Sequence, residues 1–370
     1  MSSFLTRGKA SVVIDGQFGS TGKGLAAAYQ VEQMNRYSPH HDWGYTVCTT
    51  NAAPNAGHTT VLPDGTKFIT FHMPTMGVLK KDSIIYLNAG AIIDIEVLEE
   101  EINTLGIDFR RVIIHPNAAV ITQEDKDYEK DKSSGATQIA STQKGVGRAL
   151  ARKIMREGDT AKDYTKHLSY LGMSVKPLDL NDVMDNGYAV CIETPQGMGL
   201  SLNNGFHPHC TSREVSVSQS LSDAGVHPSY LGQTLMTVRT YPIRVGNIVD
   251  ENGATIGYSG GVYDDQHELN WEDFPNVEPE RTTVTKRVRR IFTFSEMQYR
   301  QSIARLRPDI VHLGFCDYLL NEAELVKILN KMMAAHAHYK VNPQIVYSFG
   351  PCTTDVLSLH DAVERLSNGN

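Results

Sequence analysis

The stretch VVIDGQFGSTGKGLAAAY, Val12 to Tyr29, decides how the chain is read. The β-branched run Val12 to Ile14 enters a glycine-rich loop, and Leu25 to Met34 then reads as a helix. That order is a strand, a phosphate loop and a helix. The spacing departs from the common phosphate loop, which puts four residues between its first glycine and the Gly-Lys pair and a Ser or Thr after the lysine. Here five residues separate Gly16 from Gly22, and Gly24 follows Lys23. Successive amides across Gly19, Ser20, Thr21 and Gly22 at a helix N-terminus form an anion cradle, and Lys23 adds a full charge. The bland alternative is a glycine-rich turn.

Outward from this loop the same alternation recurs. Asp94 is placed to cap a helix whose apolar residues Ile95, Leu98, Ile102 and Leu105 fall every three to four positions, and Gly106 stops it. The strand RVIIH, Arg111 to His115, follows. Further on, YAVCIE and IVYSF read as strands, with the helix EAELVKILNKMMAAHAHY between them. The expected fold is α/β, a mostly parallel central sheet flanked by helices with long loop insertions and a P-loop-NTPase-like nucleotide-binding loop. With no repeat, low-complexity tract or Ser/Gly linker, residues 1–370 are expected to form a single domain. Asp250 to Arg281 is expected to be an irregular excursion.

Composition narrows the class of function. Of the 370 residues 41% are hydrophobic and 21% charged, which suits a globular protein with a sizeable core. A net charge of -7 argues against the nucleic-acid backbone as main partner and leaves small anionic ligands open. The five cysteines form no C-x-x-C pair, so reduced thiols in a cytoplasmic compartment are expected. No apolar run approaches the ~18 residues of a membrane span, and a soluble, intracellular protein is expected.

Four more segments concentrate glycine, hydroxyl and basic residues. In NAAPNAGHTT, His58 between Gly57 and Thr59 is reachable from a substrate and has the chemistry of a general acid, although a lone loop histidine is more often bland. In STQKGVGRALARKIMREG, a helix starting near Gly147 places Arg148, Arg152 and Arg156 along one face. Such a stripe is usually solvated surface, and a phosphate-binding or subunit-facing role is the minority reading. In ETPQGMGLSLNNGFHPHCTSRE, the proximity of His207, His209 and Cys210 gives only a weak metal signal. In RTTVTKRVRR, the arginines of an acidic protein read best as a clamp for carboxylates or phosphates.

Taken in this order, the segments resemble the adenylosuccinate synthetase family across nearly the whole chain. Its members read G-D-E-G-K-G, N-A-G-H-T, T-T-x-x-G-[IV]-G, E-G-A-Q-G followed by T-S, and T-G-R-x-R-R; this sequence offers GSTGKG, NAGHT, STQKGVG, ETPQG with CTS, and TKRVRR. The family is a carbon–nitrogen ligase family: a nucleoside triphosphate phosphorylates O6 of a 6-oxopurine nucleotide, and the amine of L-aspartate displaces that phosphate. The resemblance implies that His58 assists departure of the β,γ-bridging oxygen. It implies that Lys23 and the amides of Gly19 to Gly24 hold phosphates beside Gly57, His58 and Thr59. Mg2+ is implied as cofactor, with Ser20 and the Gly57 carbonyl as its ligands. Asn55, Thr142, Gln196, Thr211, Val245 and Arg287 are implied for the acceptor nucleotide, with Gln196 also catalytic. Thr285, Arg287 and Arg289 are implied for aspartate, and Asp317, Ser348 and Gly350 for the donor base. Arg156 is implied to reach the acceptor's 5′-phosphate from a neighbouring subunit, hence a homodimer, with no nucleic-acid or membrane partner.

Two departures refine the resemblance. Cellular members carry an aspartate at the position of Ser20, taken to deprotonate N1 of the purine, and a guanine-reading lysine at the position of Phe315 in LGFCD. Both departures, and the short chain, resemble the phage branch, which takes dGMP as acceptor with ATP or dATP as donor and leads to 2,6-diaminopurine in phage DNA. The alternatives are an IMP-using member and a catalytically inactive nucleotide-binding homologue. The base that replaces the missing aspartate is left open between Asp15, a water and the nucleotide's own phosphate.

Overall fold

The computed structural model describes residues 4–37, 46–131, 134–275, 277–282 and 286–367. Ten strands form its main sheet: β1 (Ala10–Asp15), β2 (Thr46–Thr50), β3 (Ile84–Leu87), β4 (Val112–Ile114), β5 (Ser174–Val175), β6 (Ala189–Gly197), β7 (Leu231–Arg239), β8 (Ile310–Gly314), β9 (Gln344–Ser348) and β10 (Val356–Leu357). Their spatial order is β10-β9-β8-β7-β1-β6-β2-β3-β4-β5. Every neighbouring pair is parallel except β9 with β10 at one edge. The mostly parallel α/β sheet expected from the sequence is therefore present.

The sheet is covered on both faces, which is why β1, β2 and β8 are buried at every residue. The period of two sorts β1 cleanly. Val12 and Ile14 pack with Tyr299, Ile303, Leu325 and Met332, which come from the helices Glu296–Leu306 and Glu322–Tyr339. Val13 points the other way, against Ala26, Val31 and Met34 of the helix Lys23–Tyr37.

Two local expectations are corrected. Asp94 stands at the N-cap of the helix Ile95–Leu105 but gives it no side-chain bond, because its carboxylate pairs with Lys126 at 2.7 Å. The helix still stops at Gly106, which adopts the left-handed conformation that lacks a penalty in glycine. The arginine stripe is broken: the helix spans Val146–Met155 and Arg156 lies beyond it with φ 66°. Arg152 is spent on Asp125 at 2.9 Å and Asp159 at 3.4 Å, and Arg148 stacks on Tyr128. Residues 250–281 are largely irregular, as expected, with a short hairpin at their start and the strand Glu268–Leu269 pairing with Arg290–Phe292.

β7, β1 and β6 lie side by side in the sheet and are parallel, so the segments that leave their carboxyl ends are neighbours. Gly197, at the end of β6, pairs in register with Asp15. A Cβ on Gly197 would strike the Gln17 carbonyl, and would lie 2.6 Å from Asp15 Oδ1 and 2.6 Å from the Gly19 amide nitrogen. Gly197→Ala is expected to destabilise the protein by about 1–3 kcal/mol, the usual cost of overpacking, and to abolish nucleotide binding through the displaced loop. Urea unfolding and calorimetric titration with ATP check this; normal binding would show that the loop tolerates the displacement.

Candidate active site

The phosphate loop is built around one carboxylate. Asp15 is wholly buried, and it accepts the Gln17 amide at 2.7 Å, the Thr21 hydroxyl at 2.6 Å and the Lys23 ammonium at 3.4 Å. The Thr21 hydroxyl also meets Thr237 of β7 at 2.6 Å. Thr21 is thus left with its backbone amide for phosphate. Asp15, one of the candidates for the base that replaces the missing aspartate, lines neither cavity nor the space between them, and its oxygens accept their bonds from inside the loop. Gly19, Ser20 and Gly22 all have positive φ (93°, 56° and 86°), which turns successive amides toward one concavity.

Two cavities of about 440 Å³ and about 400 Å³ open on either side of this loop, and a narrow space of about 100 Å³ joins them. Asn55, Thr142, Gln196, Thr211 and Val245 line the first, together with Phe18 and Arg244. Ser20, Thr21, Gly22, Lys23, Gly24, Gly57, His58, Thr59, Asp317, Ser348 and Gly350 line the second. Gly19, Ser20, Lys23, Asn55, Gly57, His58, Gln196 and Arg289 surround the junction. The segments read separately from the sequence therefore converge, the acceptor set on one side and the donor set on the other.

Two of the sequence-derived residues fall elsewhere, and a third is not described. Arg287 lines neither cavity and donates to the Ala140 and Ser141 carbonyls at 2.9 Å and 3.3 Å, which ties its loop to the wall of the first cavity. Arg156 is exposed and away from both cavities. Thr285 lies outside the described residues. His209 and Cys210 belong to the first cavity, where the His209 ring meets Tyr258 edge-on at 5.3 Å.

The junction is cationic. Lys23 is almost wholly buried, and its ammonium donates to the Gln196 carbonyl at 2.9 Å. His58 opens the strand His58–Val61 and faces both the second cavity and the junction. Burial, and then the nearby Lys23 charge, push its pKa down to about 3, so the imidazole is neutral before any phosphate arrives. Burial moves Asp317 the other way, above the usual carboxylate range. Phe315, itself at φ 60°, lays its ring 3.7 Å from the guanidinium of Arg239.

Sequence reading missed Arg239, Arg244 and Glu280. Arg239 and Arg244 are almost completely buried. Arg244 donates to the His209 carbonyl at 2.8 Å and lies over Phe18 at 4.6 Å, which fixes two walls of the first cavity. No spacing rule marks these residues, because their partners lie far away in sequence.

Two nucleotide-sized cavities meeting at a cationic, glycine-lined junction, beyond the carboxyl ends of parallel strands, define an α/β protein that sets a nucleoside triphosphate against a second bound substrate. The family model for adenylosuccinate synthetase matches residues 12–170 and 159–361. The chain belongs to the adenylosuccinate synthetase family. It is 36% identical over 351 residues to an N6-succino-2-amino-2'-deoxyadenylate synthase of Acinetobacter phage SH-Ab 15497, covering 87% of each chain. It is 34% identical to the protein of that name from Salmonella phage PMBT28, covering 94% of this chain and 97% of the relative. Among solved structures, the succinoaminodeoxyadenylate synthetase of Cyanophage S-2L, bound to dGMP and to dATP as an energy donor, superposes with TM-score 0.80 at 31% identity. The match covers 97% of this chain and 99% of that one.

The His58 environment yields a direct test. Histidine ring NMR of the unliganded protein, assigned with His58→Gln, is expected to show His58 neutral from pH 8 down to about pH 5, a range in which an unperturbed imidazole protonates near pH 6.5. A midpoint near 6.5 would show that the ring is solvated.

Proposed function

We propose that the chain is a carbon–nitrogen ligase that joins L-aspartate to C6 of dGMP, driven by ATP or dATP, to give 2-amino-2'-deoxy-N6-succinyladenylate for 2,6-diaminopurine DNA. The observation that carries this reading is the lining of the junction, where Ser20 stands and, among the described residues, no carboxylate does. The named phage relatives and the cyanophage structure with dGMP and dATP support it.

In this reading the triphosphate fills the cavity of Phe315 and Asp317 and lays its γ-phosphate on the loop amides and Lys23. The acceptor base enters from the opposite cavity, beside Gln196 and Asn55, which bond each other at 3.3 Å. Its O6 attacks the γ-phosphorus as the N1 proton leaves to a water or to the nucleotide's own phosphate. The negative triphosphate raises the proton affinity of His58, which then hydrogen-bonds the β,γ-bridging oxygen as that bond breaks. Aspartate, with a carboxylate held at Arg289, attacks C6 through its amine; phosphate departs from C6 and the amine's proton passes to it or to water, while Arg287 acts only indirectly, by tying its loop to Ala140 and Ser141.

The Ser20 hydroxyl and Gly57 carbonyl are hard oxygen donors beside the junction and fit Mg2+, with phosphate oxygens completing the set. When bound, Mg2+ offsets the charge that develops on the phosphates. The shorter, neutral Ser20 leaves room for the 2-amino group beside N1 and can accept a hydrogen bond from it. Residues 1–370 act as one domain in this reading, because the main sheet draws strands from Ala10 to Leu357. Among the described residues no helix is long and apolar enough to cross a membrane, and the proposed place of action is the cytoplasm of an infected host cell.

A homodimer completes the acceptor site, with Arg156 reaching the 5′-phosphate in the partner subunit. The support is local: Arg156 is exposed beyond its helix end, beside Ile154 and Met155 at 67% and 64% exposure, an apolar pair that a second copy would cover. Mixing Arg156→Ala chains with His58→Ala chains is expected to restore up to about a quarter of the sites, since random pairing leaves one intact site in each mixed dimer. No recovery despite proven subunit exchange would contradict the shared site.

The decisive assay offers aspartate and ATP with either dGMP or IMP and identifies the succinylated product by mass. Wild type is expected to favour dGMP in kcat/KM, and Ser20→Asp to shift the ratio toward IMP. A wild-type preference for IMP would make the chain an ordinary member of the family, and no product with either acceptor would leave a binding homologue.

A further inference from the structure

Arg239 ends β7 and is wholly buried, with its guanidinium 3.7 Å from the centre of the Phe315 ring and 5.4 Å from that of Tyr318. One of its terminal nitrogens donates to the Ser20 carbonyl at 3.2 Å. The same fork holds both oxygens of Glu280: Nη1 lies 3.4 Å from Oε2, and Nη2 donates to Oε1. Glu280 also accepts the Tyr318 hydroxyl at 2.7 Å, and its Oε2 faces Arg289 Nε at 3.8 Å. The Arg289 amide donates to the Glu280 carbonyl at 2.8 Å, so the basic loop of residues 281–289 is closed at its base by Glu280.

One carboxylate is therefore shared between the buried Arg239, which holds the Ser20 carbonyl, and the partly buried Arg289, which lines the junction. Arg239 fixes the backbone of Ser20 in a left-handed conformation that a non-glycine residue adopts only at a cost. Arg289 borders both the donor cavity and the junction. Burial favours the neutral acid at Glu280, yet Arg239, Tyr318 and Arg289 together hold its carboxyl below the usual range, so the charge is present at neutral pH. A purely structural ion pair would need only one of the two arginines.

We propose that Glu280 is a positioning residue that couples the donor-phosphate loop to the aspartate site, through Arg239 to Ser20 on one side and through Arg289 on the other. The inference rests on the reading of Arg289 as an aspartate contact. A triphosphate that orders the loop around Ser20 fixes Arg239, which fixes the Glu280 carboxylate, and that carboxylate orients Arg289 for a dicarboxylate. Aspartate then binds more tightly to the donor-loaded protein, and the linkage is reciprocal.

Calorimetry of aspartate binding to the dGMP-loaded protein, with and without a non-hydrolysable ATP analogue, tests this. In wild type the analogue is expected to tighten aspartate binding at least about 5-fold. In Glu280→Gln that ratio is expected to fall close to one, with the analogue's own Kd changed by less than about 3-fold. Glu280→Asp, which keeps the charge, is expected to recover part of the ratio. Arg239→Lys, whose single ammonium cannot reach Ser20 and both carboxylate oxygens, is expected to lose it, and these two variants carry the test if Glu280→Gln does not fold. A wild-type ratio of one, or an undiminished ratio in folded Glu280→Gln, overturns the coupling while leaving the proposed activity standing. Failure of wild type to bind aspartate at all overturns the reading of Arg289 and the coupling with it.

Discussion

The site depends on a carboxylate that never meets a substrate. Asp15 sits where the innermost strand ends, out of reach of water, and takes hydrogen bonds from Gln17, Thr21 and Lys23. A buried ionised carboxylate is tolerated only where such donors surround it. Satisfying it bends residues 16–22 into a ring whose remaining amides face outward, and it aims Lys23 along the junction. The close fit of Gly197 against this ring leaves no freedom to rebuild it elsewhere. The neighbours of β1 then support both cavities: β6 lines the first through Gln196, and β7 backs the second through Arg239, which lies against the wall residue Phe315.

This arrangement explains which parts were legible in the sequence. The helix Glu322–Tyr339 has the bounds that the apolar spacing predicts, because Asn321 caps it locally by accepting the Glu324 amide. The phosphate loop and the NAGHT segment announce themselves by short-range chemistry, since glycine and hydroxyl residues are needed at adjacent positions. The end of the arginine helix was not legible. Its last turn unwinds where Arg156 turns left-handed and the Glu157 and Gly158 amides return to the Arg152 carbonyl, a choice that no residue type there enforces. Arg239 and Glu280 were invisible for a different reason. Their partners are 219 and 41 residues away in sequence, so only the folded sheet brings them together.

The same cluster changes the meaning of Phe315. Read alone, it is the loss of a guanine-reading lysine. In the structure one face of the ring is already occupied by the Arg239 guanidinium. A lysine at this position would bring a second cation against a buried one, with no additional carboxylate among the residues that line the cavity except Asp317 and the shared Glu280. The aromatic ring is compatible with Arg239 for the reason an ammonium is not, because its face carries negative potential. The Phe315 ring and the Ser20 carbonyl are therefore held by one guanidinium rather than by two separate contacts.

Backbone strain gathers at the same place and shares one remedy. Ser20, Gln196, Phe315 and Ala140 all border the cavities with positive φ although none is glycine. Each costs of order 1–3 kcal/mol in isolation. In every case the carbonyl of the strained residue accepts a side-chain donor from a distant segment: Arg239 for Ser20, Lys23 for Gln196, Thr240 for Phe315 and Arg287 for Ala140. Three of those donors are cationic, and a hydrogen bond to a charged group contributes roughly 1.5–3 kcal/mol, enough to offset the strain it accompanies. Lys23 alone among these cations also lines the junction, so the side chain that holds the strained Gln196 carbonyl leaves its charge where a phosphate would meet it, whereas Arg239 and Arg287 act from behind the walls.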